Sequence, residues 1–315
     1  MIRTFTMRLK TTKRQGETLN AVLAQLCELY NMALQQRRDV WKSHRLRIGY
    51  YDQQKQLTEL RGGVEEYRNL PVKIQRDPLR RLDQAFQAFF RRCASGNKPG
   101  FPRFRSRERY DSFGLEPQGF RFEEGNLVIR KVGTFKTKTR FRVQGKPLEL
   151  RIKRCGMKWR AQLVCDVGPA PDKVAVQDAV GIDLGLNSLA VLSDGTEIPN
   201  PRWTKQEENR LAVANRSLAS KRRGSKNRGK ARERVRRVHQ RIAGLRSAYL
   251  VQVAKHLVSS YDLIAHEELK IPRMVKSKMA KSILDAAWRQ LIGRLQCEAE
   301  KAGKWDSSCR SAQYH

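Results

Sequence analysis

The spacing of apolar positions changes repeatedly along the chain, and each change predicts a different kind of element. Residues 4–10 alternate well enough for a β-strand. From about residue 17, Leu19, Val22, Leu23, Leu26, Leu29, Tyr30 and Leu34 recur at three- and four-residue spacings, which places them along one helical face. Two more helical stretches follow at about 51–61 and 73–94, so the segment up to residue 95 reads as a small helical bundle. Between 110 and 168 the pattern turns toward period two, in 127–132, 140–143, 148–152 and 159–167, as expected for half-buried strands joined by short turns. The simplest assembly is a small β-barrel or curled sheet with the helices inserted after its first strand. Gly-Pro-Ala-Pro-Asp at 168–172 is a linker and the expected domain boundary.

Residues 179–192 read as a buried strand, a turn carrying Gly185 and a second strand, and Ser193, Asp194 and Gly195 turn the chain again. Two long helical patterns then occupy 203–261, broken near Gly224 and Ser225. Residues 261–269 form a strand ending at Glu267. A helix over about 280–302 puts Ile283, Leu284, Ala287, Trp288, Leu291, Ile292 and Leu295 on one face.

Charge narrows the class of partner. The chain has 315 residues with 65 Lys and Arg against 31 Asp and Glu, a formal net charge of +34. Such an excess repels itself until phosphates supply counter-charge, so nucleic acid is the expected partner rather than a membrane or plain solvent. Between Arg202 and Arg246 the acidic residues are Glu207, Glu208 and Glu233 alone. Intrahelical pairing therefore leaves many cations over. Lys221, Arg222, Arg223, Lys226, Arg228, Lys230, Arg232, Arg234, Arg236, Arg237 and Arg241 are predicted to contact an external polyanion. Residues 95–106 add Lys98, Arg103 and Arg105 beside Phe101 and Phe104. That mixture suits stacking on bases and pairing with phosphates, and it equally suits a Pro/Gly linker whose two rings are buried as staples. No run of about eighteen apolar residues and no apolar leader segment is present, so a cytoplasmic, nucleoid-associated protein is expected. Cys27, Cys93, Cys155, Cys165, Cys297 and Cys309 are scattered without a CxxC pair, which predicts reduced structural thiols and no zinc site.

Two carboxylates stand out. Asp183 lies inside an apolar run, either as a capping or turn residue or as a group made tolerable by a metal. Glu267 closes another apolar strand, and two strand-borne carboxylates in one sheet can converge on a hard cation such as Mg²⁺. A pair of such cations about 4 Å apart cleaves phosphodiesters by activating water and stabilising the leaving oxygen.

At this point a family resemblance is visible. Val-Gly-Ile-Asp-Leu-Gly-Leu-Asn (180–187) resembles the first motif of the RuvC-type, RNase H-like domain of TnpB (OrfB) proteins, and Leu-Ile-Ala-His-Glu-Glu-Leu (263–269) resembles the second. The basic helical pair between them, with Ser-Lys-Asn-Arg (225–228) and Val-His-Gln-Arg-Ile (238–242), is similar to that family, as are Tyr-Asn-Met-Ala-Leu (30–34) and Gly-Phe-Pro-Arg-Phe-Arg-Ser (100–106). The resemblance implies an α/β fold plus β-barrel. A wedge-type barrel (1–14 and 109–168) would carry a helical recognition insert (15–108). A linker (169–178) would lead to a RuvC-like domain (179–303) with its basic hairpin at 203–261. It also implies a guide RNA from the transposon end, a double-stranded DNA target with a short flanking motif, and a Mg²⁺ site. Asp183 and Glu267 take the places of the first and second catalytic, metal-binding carboxylates, ahead of the neighbouring Glu268.

The family pattern continues into another strand, a four-cysteine zinc ribbon and a third catalytic Asp. Residues 304–315 show neither a strand pattern nor cysteine pairs, and Asp306 follows the preceding helix too soon to match the third motif. An aberrant tail, a C-terminally truncated nuclease and absent or very slow cleavage are the corresponding expectations. The alternatives are a cleavage-inactive RNA-guided binder that represses transcription, and a conventional transposase that joins DNA strands itself.

Overall fold

The computed structural model describes residues 1–138 and 143–309. The chain divides into two compact units, Met1–Gly168 and Pro169–His315. The expected strand at 140–143 lies largely outside the described residues.

In the first unit, β1 (Ile2–Lys10) leads through Thr12 into α1 (Lys13–His44). The Thr12 side chain accepts from Gln15 N, and the Gln15 side chain accepts from Thr12 N. This reciprocal cap satisfies two orphan donors and starts the helix four residues before the apolar periodicity does. The helices α2 (Tyr50–Gly63), α3 (Glu65–Arg68) and α4 (Val72–Ala94) complete the insert. The strands β2 (Ser112–Leu115), β3 (Phe120–Glu123), β4 (Asn126–Ile129), β5 (Gly133–Lys138), β6 (Lys146–Cys155) and β7 (Lys158–Asp166) follow. They join β1 in a curled antiparallel sheet of order β2-β6-β7-β1-β5-β4-β3. The run 127–132, expected as one strand, is instead β4 and a turn. The sheet's inner face, with Met7, Leu9, Phe113, Phe135, Ile152 and Leu163, shares one core with Leu19, Leu23, Leu26 and Leu34 of α1 and Ile74, Leu79 and Leu82 of α4. Each such buried side chain contributes roughly 1.5–3 kcal/mol. Cys27 is part of this core, and burial pushes its thiol pKa up.

The second unit is a mixed sheet of order β10-β9-β8-β11-β12. Its strands are β8 (Ala179–Asp183), β9 (Ser188–Leu192), β10 (Glu197–Pro199), β11 (Leu263–Glu267) and β12 (Trp305–Cys309). The pairs β8–β11 and β11–β12 are parallel, and the others are antiparallel. Between β10 and β11 lie α5 (Trp203–Gln206), α6 (Glu208–Ala219) and α7 (Lys226–Ser260). After β11 come α8 (Ile271–Met274), α9 (Ala280–Ala286) and α10 (Trp288–Ala302). One sheet face, carrying Val180, Ile182 and Ile264, shares a core with Leu250, Ala254 and Leu257 of α7 and Leu291, Leu295 and Ala299 of α10.

Two expectations fail here. The helix over 280–302 is broken at Ala287, which adopts φ 56°. Upstream of the break, Thr204 Oγ1 donates to Asp285 (2.6 Å) and Arg246 pairs with the same carboxylate. Downstream, Trp288 is free to send its Nε1–H to Gly185 O (3.2 Å), while Leu284 is left exposed. The segment 305–309, expected to lack strand character, forms β12, whose backbone pairs along all of β11 from Leu263↔Trp305 to Glu267↔Cys309. Its apolar pattern is weak because the inward-facing Asp306 is accommodated by a buried histidine instead of by apolar packing.

A carboxylate pair at a strand edge and a basic helical hairpin

The β8–β11 pairing runs from Leu263↔Ala179 to His266↔Ile182, so Asp183 and Glu267 are the next residues on adjacent parallel strands. Parallel neighbours lie about 4.8 Å apart and register partners share a face. Both carboxylates therefore stand on one side of the sheet, opposite the side that Val180, Ile182 and Ile264 bury. Asp183 is exposed and Glu267 half-buried. This corrects the expectation of a carboxylate enclosed within a strand. β8 is five residues long and ends at Asp183, so the carboxylate opens at the carboxyl edge of the sheet, where open α/β sheets place their ligands.

The turn after Asp183 is held closely. Gly185 N donates to Leu189 O (3.3 Å), and a Cβ at Gly185 would stand 2.9 Å from Ser188 O. Asn200 Nδ2 donates to Leu186 O (2.9 Å). The same turn borders a cleft of about 340 Å³ lined by Arg202, Lys205, Glu208, Lys281 and Asp285. These cleft cations were not foreseen from the sequence, because α9 brings Lys281 in from far along the chain. Lys281 Nζ pairs there with Glu208 (2.6 Å).

On the opposite face, buried His266 presents Nε2 to Asp306 Oδ2 at 3.6 Å. The Asp306 carboxylate beside it raises the imidazole pKa, against the opposing effect of burial. Asp306 thus faces away from Asp183 and Glu267. Among the described residues no group of three or more His, Cys, Asp or Glu side chains is arranged to hold a metal ion. The donor set at the strand edge is a pair of carboxylates, oxygen ligands of the kind a hard cation takes.

The basic hairpin sorts its cations into two classes. Glu207 is buried, and Arg210 (3.0 Å) and Arg241 (2.9 Å) both pair with it. Burial pushes its pKa up, but the two guanidiniums outweigh this and hold it below the usual carboxylate range. Glu233 takes Arg236 (3.3 Å) and Arg237 (3.6 Å), and Arg228 donates to the carbonyls of Leu218 (2.9 Å) and Lys221 (2.8 Å), tying off the end of α6. Arg228, Arg236, Arg237 and Arg241 are therefore partly structural, which the charge pattern alone did not reveal. Lys221, Arg222, Arg223, Lys226, Lys230 and Arg234 are exposed or half-exposed and have no ion pair among the described residues. Arg232 lies on the same helix.

In the first unit, Lys98, Arg103 and Arg105 are exposed. Arg105 is fixed by its backbone, whose N–H donates to Asn31 Oδ1 (2.8 Å) and whose carbonyl accepts from Asn31 Nδ2 (2.9 Å). Phe101 packs edge-on against Phe86 and Phe89, and the Arg38 guanidinium lies 5.3 Å from the Phe104 ring. Both rings stay nearly half exposed, so neither is a buried staple. No helix among the described residues is long and apolar enough to cross a membrane.

The fold is shared with a solved structure. The chain aligns with one in the cryo-EM structure of a Cas12f1–sgRNA–target DNA complex at TM-score 0.56, with 12% identity, covering 95% of this chain and 74% of that one. A family model described as "Probable transposase" (OrfB_IS605) matches residues 162–278. A "Putative RNA-guided DNA endonuclease" of Streptomyces pristinaespiralis is 30% identical over 315 residues, covering 96% of this chain and 76% of that protein. InsQ of Escherichia coli K12, bearing the same description, is 25% identical over 287 residues, covering 85% of this chain and 70% of its own length. The chain belongs to the TnpB (OrfB) family of RNA-guided DNA endonucleases and transposases.

Proposed function

We propose that this chain binds a guide RNA and a DNA target that the RNA selects, and that its second unit is a RuvC-like domain whose reactive edge is formed by Asp183 and Glu267. The observation that carries the reading is the placement of these carboxylates at neighbouring positions on adjacent parallel strands, on the face opposite the buried Val180, Ile182 and Ile264. The net charge of +34 and the exposed Lys221, Arg222, Arg223, Lys226, Lys230 and Arg234 support a polyanionic partner. The name of the Streptomyces relative and the contents of the Cas12f1 complex support RNA and DNA as that partner.

Asp183 and Glu267 would hold Mg²⁺. When bound, the ion supplies Lewis-acid stabilisation and an activated water for phosphodiester cleavage. The chain's own part is to fix two oxygen donors at a rigid strand edge and to keep the Gly185 turn beside them. Among the described residues no third carboxylate joins them, and two hold such an ion more weakly than three, so slow cleavage is expected of the site as it stands.

The test is to express the chain together with the DNA that borders its gene, purify it and sequence the RNA that accompanies it. One discrete RNA species encoded beside the gene is expected, followed by slow Mg²⁺-dependent cutting of a matched duplex. Target binding without cutting would assign the chain as an RNA-guided binder able to block transcription. Heterogeneous RNA, or DNA strand joining without any RNA, would overturn RNA guidance.

A further inference from the structure

The aromatic residues of the helical insert are not all core. A groove of about 770 Å³ opens between the end of α1, the loop after it and α4. Its walls carry Trp41, Phe86, Phe89, Phe90 and Phe101 together with Arg47. Trp41 is 45% exposed, Phe90 49% and Phe101 46%, whereas the aromatic residues Phe113 and Phe135 of the same unit are fully buried. Burying these rings inside the unit would have removed apolar area from water, so their shared exposure on one concave wall needs a ligand.

The chemistry of the wall says which ligand. Arg47 reaches between two rings, its guanidinium carbon 5.9 Å from the Trp41 centroid and 5.7 Å from that of Phe90. Phe101 meets Phe86 (5.5 Å, 88°) and Phe89 (5.3 Å, 76°) edge-on. Rings and guanidinium planes lining one trough are what flat π-faced groups stack upon. Arg38 and Lys42 also line the groove, while its acidic members are partly engaged: Asp83 by Arg37 (3.2 Å) and Asp39 by Gln35 (2.7 Å). The loop that delivers Phe101 carries exposed Lys98 and Arg103 on either side of it in sequence, cations of the kind that pair with phosphates. The groove amides Gln35 and Gln87 give N–H groups to Asp39 (2.7 Å) and Asp83 (2.8 Å), which favours stacking over reading of base edges. The volume is in the range of about 300–1,000 Å³ usual for ligand sites.

We infer that this groove is a stacking site for unpaired bases of single-stranded nucleic acid, largely indifferent to their sequence, with Trp41, Phe90 and Arg47 as its platform. The inference rests on the reading of the chain as a nucleic-acid binder. It adds a site in the first unit that the carboxylates and the basic hairpin do not provide.

The test uses the full chain stripped of nucleic acid at high salt. Its affinities are compared for oligo(dT), oligo(U) and an abasic backbone of equal length. Base-bearing strands are expected to bind roughly tenfold or more tighter than the abasic strand, in keeping with stacking contributions per base. Trp41→Ala with Phe90→Ala should bring the ratio close to one while leaving abasic affinity and the salt slope unchanged. The better of oligo(dT) and oligo(U) tells whether DNA or RNA is the occupant. No preference for bases in the unmodified chain, or a preference that survives both substitutions, overturns the inference. So does a chain that is dimeric by light scattering and becomes monomeric in the double variant with base preference intact, which makes the groove an interface between copies. If circular dichroism shows the double variant unfolded, photocrosslinking of the unmodified chain to 5-iodouracil strands decides. Crosslinks on Trp41, Phe90 or Phe101 support the site, and crosslinks confined elsewhere overturn it. Loss of binding to every strand after reversal of the hairpin charges reports on the general polyanion contact and not on this groove.

Discussion

The Nε2 of His266 and the Oδ2 of Asp306 face each other at 3.6 Å across two parallel strands, both side chains nearly enclosed beneath the helices. The pair brings two polar groups into an apolar face and matches them to each other, so losing one leaves the other buried without its partner. Asp306→Ala is expected to destabilise the second unit by about 1–3 kcal/mol. Ser307→Ala, one position along on the other face, should change stability by less than about 0.5 kcal/mol. Denaturant unfolding of the two variants checks this, and equal effects would mean the His266 contact carries no stability.

Asp262 fastens the entry to the second sheet. Its Oδ2 accepts from Gln177 N (3.2 Å) and Asp178 N (3.3 Å), and its Oδ1 pairs with Lys304 Nζ (3.3 Å). These backbone bonds, with Lys304, lower the carboxyl pKa. A lowered folded-state pKa stabilises the fold above the unfolded value of about 3.9, and that stability is lost as pH falls through the folded value. Asp262→Asn should therefore be less stable than the unmodified chain at neutral pH, with the difference shrinking below about pH 4. Melting curves across that range would contradict the assignment if the difference grew on acidification.

Gly303 turns the chain from α10 into β12 with φ 66°, and a Cβ there would overlap the carbonyl oxygen of Asp172. Both effects oppose a side chain, the left-handed backbone alone costing about 1–2 kcal/mol. Gly303→Ala should loosen β12 first. Faster amide exchange at 305–308, with α7 still protected, is the expected signature; uniform destabilisation of the whole unit would contradict a local turn effect.

What was legible in the chain follows from what each element depends on. The helix α1 buries one face against a sheet, so its three- and four-residue apolar spacing is legible in the chain, and α4 is legible as a helical stretch. β12 is not, because Trp305, Asp306, Ser307 and Ser308 obtain their strand geometry from backbone pairing with β11 and from the His266–Asp306 match. The break at Ala287 was also hidden: no Gly or Pro marks it, and it depends on the contacts of Asp285 and Trp288 with distant residues. Asp183 and Glu267 could be picked out as carboxylates closing or interrupting apolar runs, but their common face required the register. The stacking groove was half visible. Phe101 drew attention through its basic neighbours, whereas Trp41, Arg47 and Phe90 belong to segments that meet only once α1 and α4 pack.

The hairpin cations can be separated by experiment. Replacing Lys221, Arg222, Arg223, Lys226 and Lys230 with Gln should weaken nucleic-acid binding and flatten its salt dependence, by about 0.7–0.9 in log–log slope for each phosphate that is no longer neutralised. Thermal stability should hardly change, because none of the five has an ion pair among the described residues. Replacing Arg210 and Arg241 should do the reverse, lowering stability by leaving buried Glu207 unpaired, with a smaller effect on the slope. Similar slopes for the two sets would mean that the Glu207 cluster also contacts phosphate.

The carboxylate pair offers the sharpest separation of chemistry from binding. Asp183→Asn and Glu267→Gln keep the shape of both side chains and remove the charges that would hold a cation at the strand edge. Because Asp183 is exposed and Glu267 half-buried, neither change should cost much stability, and RNA binding should be unaltered. Any Mg²⁺-dependent cleavage by the unmodified chain should fall at least roughly a hundredfold in each variant, consistent with loss of metal-assisted stabilisation worth several kcal/mol. The double variant should be no worse than the single ones, since the two residues act on one ion. Additive losses would show that they act independently, and retained cleavage would place the reactive centre away from this edge.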